Sequence, residues 1–433
     1  MAATPLVARS ISLRRNVAWT FAGNALYAAC QWLMLSALTK LSRAERVGEF
    51  ALCLAITAPV VMLTNLQLRA VFASDAERRF KFSDYWTLRL AGCAVALAII
   101  VGIGFAGDYG PGLRGAIIAM GAAKCVEALS DVVYGLLQRD EDMARIARSM
   151  VLRGVLALTA FVATVHMTDN LVDAIIAIAV VWALVFVGCD WPSARRHRRL
   201  YGDDAESRAK ANTSRVLATL FRTSLPLGMT MLLISLNTNV PRYFIEHALG
   251  RAPLGVYAAL SSPLVAGLMV VTALGQSAMP RLARFATGGD FAGFRRLTIK
   301  LIGLGAALGA SGVVVSLVAG RIILRLLFAP IYAQYADIFV WLNVVAAIGY
   351  VASFLGYGLT ALHRFDIQVP LMICVTGTAA LGSWILVPPY GLFGAVMALL
   401  LSAVVQLIGC AGVVWHDTRV PSRTAEAQVA STS

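Results

Sequence analysis

Apolar runs of roughly 18 to 25 residues recur from Val17 almost to the C-terminus, with short polar segments between them. Wound as a helix at about 1.5 Å per residue, a run of that length matches the hydrocarbon thickness of a bilayer. In lipid every backbone N–H and C=O must be satisfied within its own segment, so continuous apolar runs of this length dictate helices. The expected fold is therefore all-α and polytopic. Composition agrees: the chain is 59% hydrophobic and 14% charged, whereas soluble domains sit near about 45–50% and 25%.

Candidate spans lie near 17–38, 47–68, 85–106, 113–137, 150–168, 171–190, 217–240, 253–275, 298–319, 334–361, 368–387 and 391–415, which makes about 12. The formal charge of +14 could suggest a nucleic-acid partner. Its placement says otherwise. With the N-terminus cytoplasmic, inside segments and span edges hold 25 of the 37 Lys and Arg, and the outside loops hold 8. That asymmetry satisfies the positive-inside rule, so the charge reports topology and no nucleic-acid partner is expected. Both termini then face the cytoplasm. All seven cysteines fall inside apolar spans without a CxxC pair or a companion His, and read as small buried hydrophobes. Arg14-Arg15 and Ala28-Ala29-Cys30 resemble export signals only superficially. Segment 17–38 is expected to be an uncleaved first helix.

The longest polar interruption, Pro192 to Arg215, follows six spans and precedes six. The expected organisation is a six-helix lobe at 1–191, a basic cytoplasmic linker at 192–216, a second six-helix lobe at 217–415 and a disordered tail at 416–433. Halves with an even number of spans keep one orientation, so a duplication would be parallel. Traces of one are visible. "LSRAERVGEFALCLAITAPVV" at the second span is echoed by "LGRAPLGVYAALSSPLVAG" at the eighth, with Gly48 matching Gly255. "YGLLQRD" at Tyr134 is echoed by "YGLTALHR" at Tyr357. The longer second half can be absorbed by "GRIILRLLFAPIYAQY", an amphipathic stretch expected to lie in the membrane interface.

These stretches also carry a family resemblance. "NVAWTFAGNAL" after a basic N-terminus, "VGEFALCLAITAPVVMLTNLQLRAVF", "YGLLQRDEDMARIARSMVLRGV" and "LRLLFAPIYAQYADIFVWL" together resemble the polysaccharide-transport branch of the multidrug/oligosaccharidyl-lipid/polysaccharide exporter superfamily. Its best-known members are the Wzx-type O-antigen flippases. The resemblance implies two six-helix lobes around a V-shaped central cavity. It also implies movement of undecaprenyl-pyrophosphate-linked oligosaccharide, as an O-antigen, capsule or exopolysaccharide unit, across the bacterial inner membrane. A glycan polymerase and a chain-length regulator are the partners expected beside the lipid-linked substrate and the membrane lipids.

"GAAKCVEALSDVVYG", Gly121 to Gly135, holds the sharpest exception to the apolar pattern. A charge at the bilayer centre costs roughly 2.5–3.5 kcal/mol, so a lipid-facing helix would not keep Lys124, Glu127 and Asp131. Their i, i+3, i+7 spacing puts all three on one helix face. Either they line a water-filled cleft, or Lys124 and Glu127 neutralise each other and pin neighbouring helices. A lipid pyrophosphate needs cations at membrane depth. The candidates are Lys124, Arg69, Arg89 and Arg153, with snorkelling to anionic headgroups as the plainer role for the three arginines. Asn24 and Gln31, seven apart in the first span, suit sugar hydroxyls, and amides also glue helices together. Glu127 and Asp131 are the candidate ion-coupling groups. Pro59, Pro226 and Pro263 are candidate bend points.

No cofactor is expected, and no enzyme. The chain has no GxxxxGK[ST] loop for ATP, no HExxH and no GxSxG, and "RDED" at 139–142 reads as a solvated helix cap. Three rivals remain. A cation-coupled multidrug exporter would want an acidic residue in the first or seventh span, and neither 17–38 nor 217–240 holds one. A peptidoglycan-precursor flippase would carry two extra helices. A membrane glycan polymerase or ligase, from a different class, would want a large outside loop bearing Arg or His.

Overall fold

The computed structural model describes residues 13–75, 77–201 and 213–419. These residues form helices and turns, with no strand among them. In chain order the helices are α1 (Leu13–Leu41), α2 (Ala44–Asn65), a short α3 (Leu68–Ser74), α4 (Phe82–Ala106), α5 (Pro111–Arg139), α6 (Met143–Thr168), α7 (Leu171–Val185), α8 (Trp191–Tyr201), α9 (Thr213–Leu249), α10 (Arg251–Ser261), α11 (Leu264–Thr287), α12 (Phe291–Leu327), α13 (Ala336–Ala361) and α14 (Phe365–Arg419). A π-helical turn, Phe186–Asp190, joins α7 to α8, and a 3-10 turn, Pro330–Tyr335, leads into α13.

Among the described residues, eight helical segments are long and apolar enough to cross a membrane, or nine counting α10 and α11 together, which bend by 44° at their junction. Two further helices, α1 and α5, have 29 residues each and are long enough to cross, but they are more polar. At 55 residues α14 spans about 82 Å, far more than one crossing needs. It breaks at Gly391 (φ 59°, ψ −135°), two residues after Pro389, which divides it into two crossings. The all-α polytopic fold is thus present, and the helices are consistent with about twelve spans.

The chain divides into two compact units. The first comprises Met1–Leu41 and Ile56–Leu232, the second Ser42–Ala55 and Leu233–Ser433. Both α2 and α9 therefore contribute to both units. Parts of the expected linker and tail, 202–212 and 420–433, lie outside the described residues.

The first unit is closed by a core of Leu66, Leu68, Phe72, Phe82, Tyr85 and Leu220, among others. Phe72 stacks on Tyr85 with ring centroids 4.1 Å apart. Trp86, Phe186 and Trp191 extend the aromatic packing onto α8.

In the second unit the two stretches that echo each other in sequence lie against each other. An ideal Cβ on Gly48 would fall 1.8 Å from the Arg251 carbonyl oxygen, and one on Gly255 would fall 2.1 Å from the Ala44 carbonyl oxygen. Only glycine permits that crossing. Two stretches with the same sequence pattern thus make reciprocal contacts at matching glycines. Glu49, nearly buried beside this crossing, binds Arg46 at 3.0 Å and Arg251 at 3.2 Å. Pro59 has no N–H to give to the Ala55 carbonyl, and the Tyr243 hydroxyl donates to that oxygen instead.

Two local expectations resolve differently. Pro263 does stand at the bend between α10 and α11, whereas Pro59 and Pro226 sit within unbroken helices. The stretch around Arg321 and Arg325 is not a separate interfacial helix. It is the last part of α12, whose 37 residues run about 55 Å and so extend past a bilayer core. The helical period of that stretch continues α12 without a breaker until Phe328.

Candidate functional site

The charged stripe on α5 is longer than its three charges. Lys124, Glu127, Asp131, Tyr134 and Gln138 alternate steps of three and four residues, which keeps all five on one face. Each level of this face meets a different neighbour within the first unit.

At the first level Lys124 binds Glu127 at 2.8 Å. The Tyr27 hydroxyl of α1 donates to Glu127, and the Lys124 ammonium lies 5.3 Å from the Trp182 ring centroid on α7. The two charges are matched, and both remain partly exposed.

At the second level Asp131 faces two arginines. Arg69 Nη1 lies 3.3 Å from one carboxylate oxygen and Arg89 Nη2 lies 3.9 Å from the other. Arg69 also donates from Nε to Gln138 at 3.1 Å. Arg89 is only 1% exposed, and its Nη1 donates to Asn65 at the end of α2. Its Nε and Nη2 have no hydrogen-bond partner among the described residues. Arg69 and Asp131 are 26% and 30% exposed, so this level is open at the protein surface.

The backbone explains why Arg69 stands here. Leu66 and Gln67 both take left-handed conformations, at φ 49° and 50°. Two consecutive non-glycine residues in that region cost about 1–2 kcal/mol each. Burial of Leu66 and Leu68 holds the turn, and it redirects the chain so that α3 packs along α5.

At the third level the network is neutralised and sealed. The Tyr134 hydroxyl lies 2.7 Å from Ser149 Oγ on α6, and Ser149 donates to Asp190 at 2.5 Å. Arg153 binds the other oxygen of Asp190 at 2.9 Å. Asp190 closes the π-helical turn after α7, and both partners of the pair are almost wholly buried. Arg153 also lies 5.5 Å from the Tyr134 ring centroid, and Arg69 lies 5.4 Å from it. One continuous network thus contains four cations (Lys124, Arg69, Arg89 and Arg153) and three carboxylates (Glu127, Asp131 and Asp190). The surplus positive charge lies at Asp131.

The structure gathers six of the eight residues singled out from sequence: Lys124, Arg69, Arg89, Arg153, Glu127 and Asp131. The other two lie on α1 and take no part in the network's contacts. Asn24 donates into its own helix, to the Thr20 carbonyl at 2.8 Å. The Gln31 amide nitrogen is buried without a hydrogen-bond partner among the described residues. Sequence reasoning missed Asp190, Tyr27, Ser149 and the extension of the stripe through Tyr134 and Gln138. The three-four spacing pointed to the last two. Nothing periodic marks Asp190, an acid at the end of a span. The acidic "RDED" stretch does cap a helix: the Asp142 side chain accepts from the Arg145 backbone N–H at 3.3 Å, at the start of α6.

Comparison with known proteins agrees with this architecture. The chain is 26% identical over 396 residues to the capsular polysaccharide biosynthesis protein CapF of Staphylococcus aureus, covering 91% of this chain and 97% of that protein. In fold it is similar to the lipid II flippase MurJ in an inward closed conformation, with a TM-score of 0.73 at 11% identity over 92% of this chain and 87% of that one. It is also similar to a mutant of the Vibrio cholerae MATE transporter VcmN, with a TM-score of 0.64 at 14% identity over 94% and 95%. The profile of the polysaccharide biosynthesis protein family matches residues 13–286, well over half of the sequence, and the chain belongs to that family.

Proposed function

We propose that this protein is a flippase that moves an undecaprenyl-pyrophosphate-linked oligosaccharide from the cytoplasmic to the periplasmic leaflet of the bacterial inner membrane. Both termini lie in the cytoplasm in this reading. Membership of the polysaccharide biosynthesis family, the similarity to CapF and a flippase-like fold support it. The single observation that carries the substrate assignment is the pair Arg69 and Arg89 sharing one partly exposed carboxylate. A dianionic or trianionic pyrophosphate entering a membrane protein must exchange water for fixed cations, and arginine offers forked donors for phosphoryl oxygens.

We assign the pyrophosphate to Arg69 and Arg89. Lys124, on the same face of α5, provides a further cationic contact, and Asn24 and Gln31 are the candidates for sugar hydroxyls. Arg153 is held by Asp190, so its part is to anchor the network. Glu127 and Asp131 are the groups through which an ion gradient would couple. A glycan polymerase and a chain-length regulator are the partners such a flippase would serve.

The rival readings each predict something different. A multidrug exporter would extrude cationic dyes and leave the surface glycan intact when deleted. A polymerase or ligase would alter glycan chain length without accumulating lipid-linked units inside. The test is a deletion strain complemented with Arg69→Gln/Arg89→Gln. Compared at matched protein abundance, export of the glycan should be lost and lipid-linked units should accumulate in the cytoplasmic leaflet. Normal export from the deletion strain would contradict the reading.

A further inference from the structure

The three carboxylates of the network are not bound equally well. Lys124–Glu127 at 2.8 Å and Arg153–Asp190 at 2.9 Å have the length of good charge-assisted hydrogen bonds. Asp131 does not. Its oxygens stand 3.3 Å from Arg69 and 3.9 Å from Arg89, one oxygen to each guanidinium. The short side chain accepts one long hydrogen bond, from Arg69, and none from Arg89. Arg89 is left buried with two donor nitrogens lacking hydrogen-bond partners among the described residues, an unfavourable state for a charged group. A phosphoryl group, with three terminal oxygens on a wider tetrahedron, could reach both guanidinium groups at once.

We propose that the Asp131 carboxylate is an internal surrogate for the ligand's phosphate, occupying Arg69 and Arg89 until a phosphoryl group displaces it. The inference rests on the assignment of the pyrophosphate to this pair. Its consequence is a competition. Asp131 lowers the affinity for the incoming anion, because the ligand must first break two existing ion pairs and then lie beside a carboxylate. It also supplies the returning counter-charge that lets the ligand leave. A carrier needs both properties, since a ligand held too tightly on one side is not delivered to the other. Glu127 and Asp190 cannot play this part. Each already has a well-placed cation and a hydroxyl donor, Tyr27 for one and Ser149 for the other.

Asp131→Asn tests this, because it keeps the volume of the side chain and removes its charge. The probes are inorganic pyrophosphate and farnesyl pyrophosphate, titrated against the detergent-solubilised full chain with and without phosphatidylglycerol. Asp131→Asn should bind both pyrophosphates about tenfold or more tighter than wild type, the size of effect that a neighbouring charge has on an ionic equilibrium. Asp131→Glu, which restores the charge, should return the affinity to near wild type. Adding Arg89→Gln to Asp131→Asn should remove the gain. In proteoliposomes Asp131→Asn should lower the KM and also lower the turnover, a split that loss of fold would not produce. Phosphatidylglycerol should leave the ratio between Asp131→Asn and wild type unchanged.

If wild type binds and Asp131→Asn binds equally or more weakly, Asp131 is no surrogate and the inference falls while the pyrophosphate site stands. If neither binds, the site assignment falls with it. If phosphatidylglycerol erases the gain, a lipid headgroup phosphate is what Asp131 stands in for, and the assignment to a lipid-linked pyrophosphate is overturned.

Discussion

The faces of α5 and α13 make the most instructive comparison in the molecule. The echo that relates Tyr134 to Tyr357 has an offset of 223 residues, and it carries Lys124 onto Ala347, Glu127 onto Tyr350, Asp131 onto Phe354 and Gln138 onto Ala361. In the first unit this face is a ladder of charges that bind side chains from α1, α3, α4, α6 and the π-helical turn. In the second unit the same spacing carries small and aromatic side chains that fill the space above glycines. Ala347 packs on Gly309, Tyr350 on Gly267, Phe354 on Gly305 and Tyr357 on Gly275. Even the shared tyrosine changes role: Tyr134 joins a hydroxyl–carboxylate network, whereas Tyr357 reaches only a backbone carbonyl, that of Thr272, at 3.5 Å.

Polar contacts in the interior of the second unit are mostly neutral, such as Ser402 donating to Asn237 at 2.9 Å. Its Arg242 pairs with the amide of Asn239 at 3.3 Å and with no carboxylate among the described residues. Its charges gather near helix ends, in Glu49 with Arg46 and Arg251 and in Arg364 with Asp417 at 2.6 Å. One scaffold therefore accepts either packing or charge at these positions. Packing suffices for a stable helix contact on α13, so whether the charge in the first unit serves more than the fold is what variants of the two faces decide.

The largest effects should come from breaking a buried contact beside each face. Asp190→Ala leaves Arg153 as a buried unpaired cation and should destabilise the protein by about 3–5 kcal/mol, read as lost abundance and a lower melting temperature in detergent. Phe354→Ala should cost a similar 3–5 kcal/mol by opening a cavity over Gly305. The two differ in how they are repaired. Removing both charges, Asp190→Leu with Arg153→Met, should restore most of the stability, because losing a buried pair together is often nearly neutral. A failure of that repair would show that the network specifies the fold in a way α13 does not need.

A smaller effect, about 1–2 kcal/mol, is expected for Lys124→Ala, which leaves Glu127 with only Tyr27. Adding Glu127→Ala should restore abundance. Glycan export should stay impaired, because this level of the face contributes to handling the ligand. Full recovery of export would reduce Lys124 and Glu127 to what Ala347 and Tyr350 are in the second unit, a packing contact.

The smallest effects separate the two tyrosines. Tyr134→Phe should cost about 1 kcal/mol by taking a partner from Ser149, while Tyr357→Phe should stay within about 0.5 kcal/mol, since its hydrogen bond is long. Equal losses in the two unfolding curves would contradict the difference in role.

Much of this was legible in the sequence, and the reasons are physical. Span length and apolarity fix membrane helices, and the i, i+3, i+7 charges on α5 could not face lipid, so the charged face announced itself. Arg69 and Arg89 stood out because charges near spans are costly. What stayed hidden was who meets whom. Asp131 finds Arg69 only through the left-handed turn at Leu66 and Gln67, and neither residue type advertises that conformation. Asp190 is a lone acid at a helix end until a π-helical turn and Ser149 give it a place. Likewise the reciprocal fit of Gly48 and Gly255 was visible as an echo, but their direct contact was not.

The central claim is that the charged face of α5 exists to handle an anionic lipid-linked substrate. It is tested most directly by measuring, in one strain, both surface glycan and membrane abundance of Arg69→Gln/Arg89→Gln beside Tyr350→Phe, a control in the second unit. The account predicts, after export is scaled to abundance, loss of export for the arginine pair and full export for the control. Undiminished export from the arginine pair at normal abundance would contradict it, because the face would then be structural in both units.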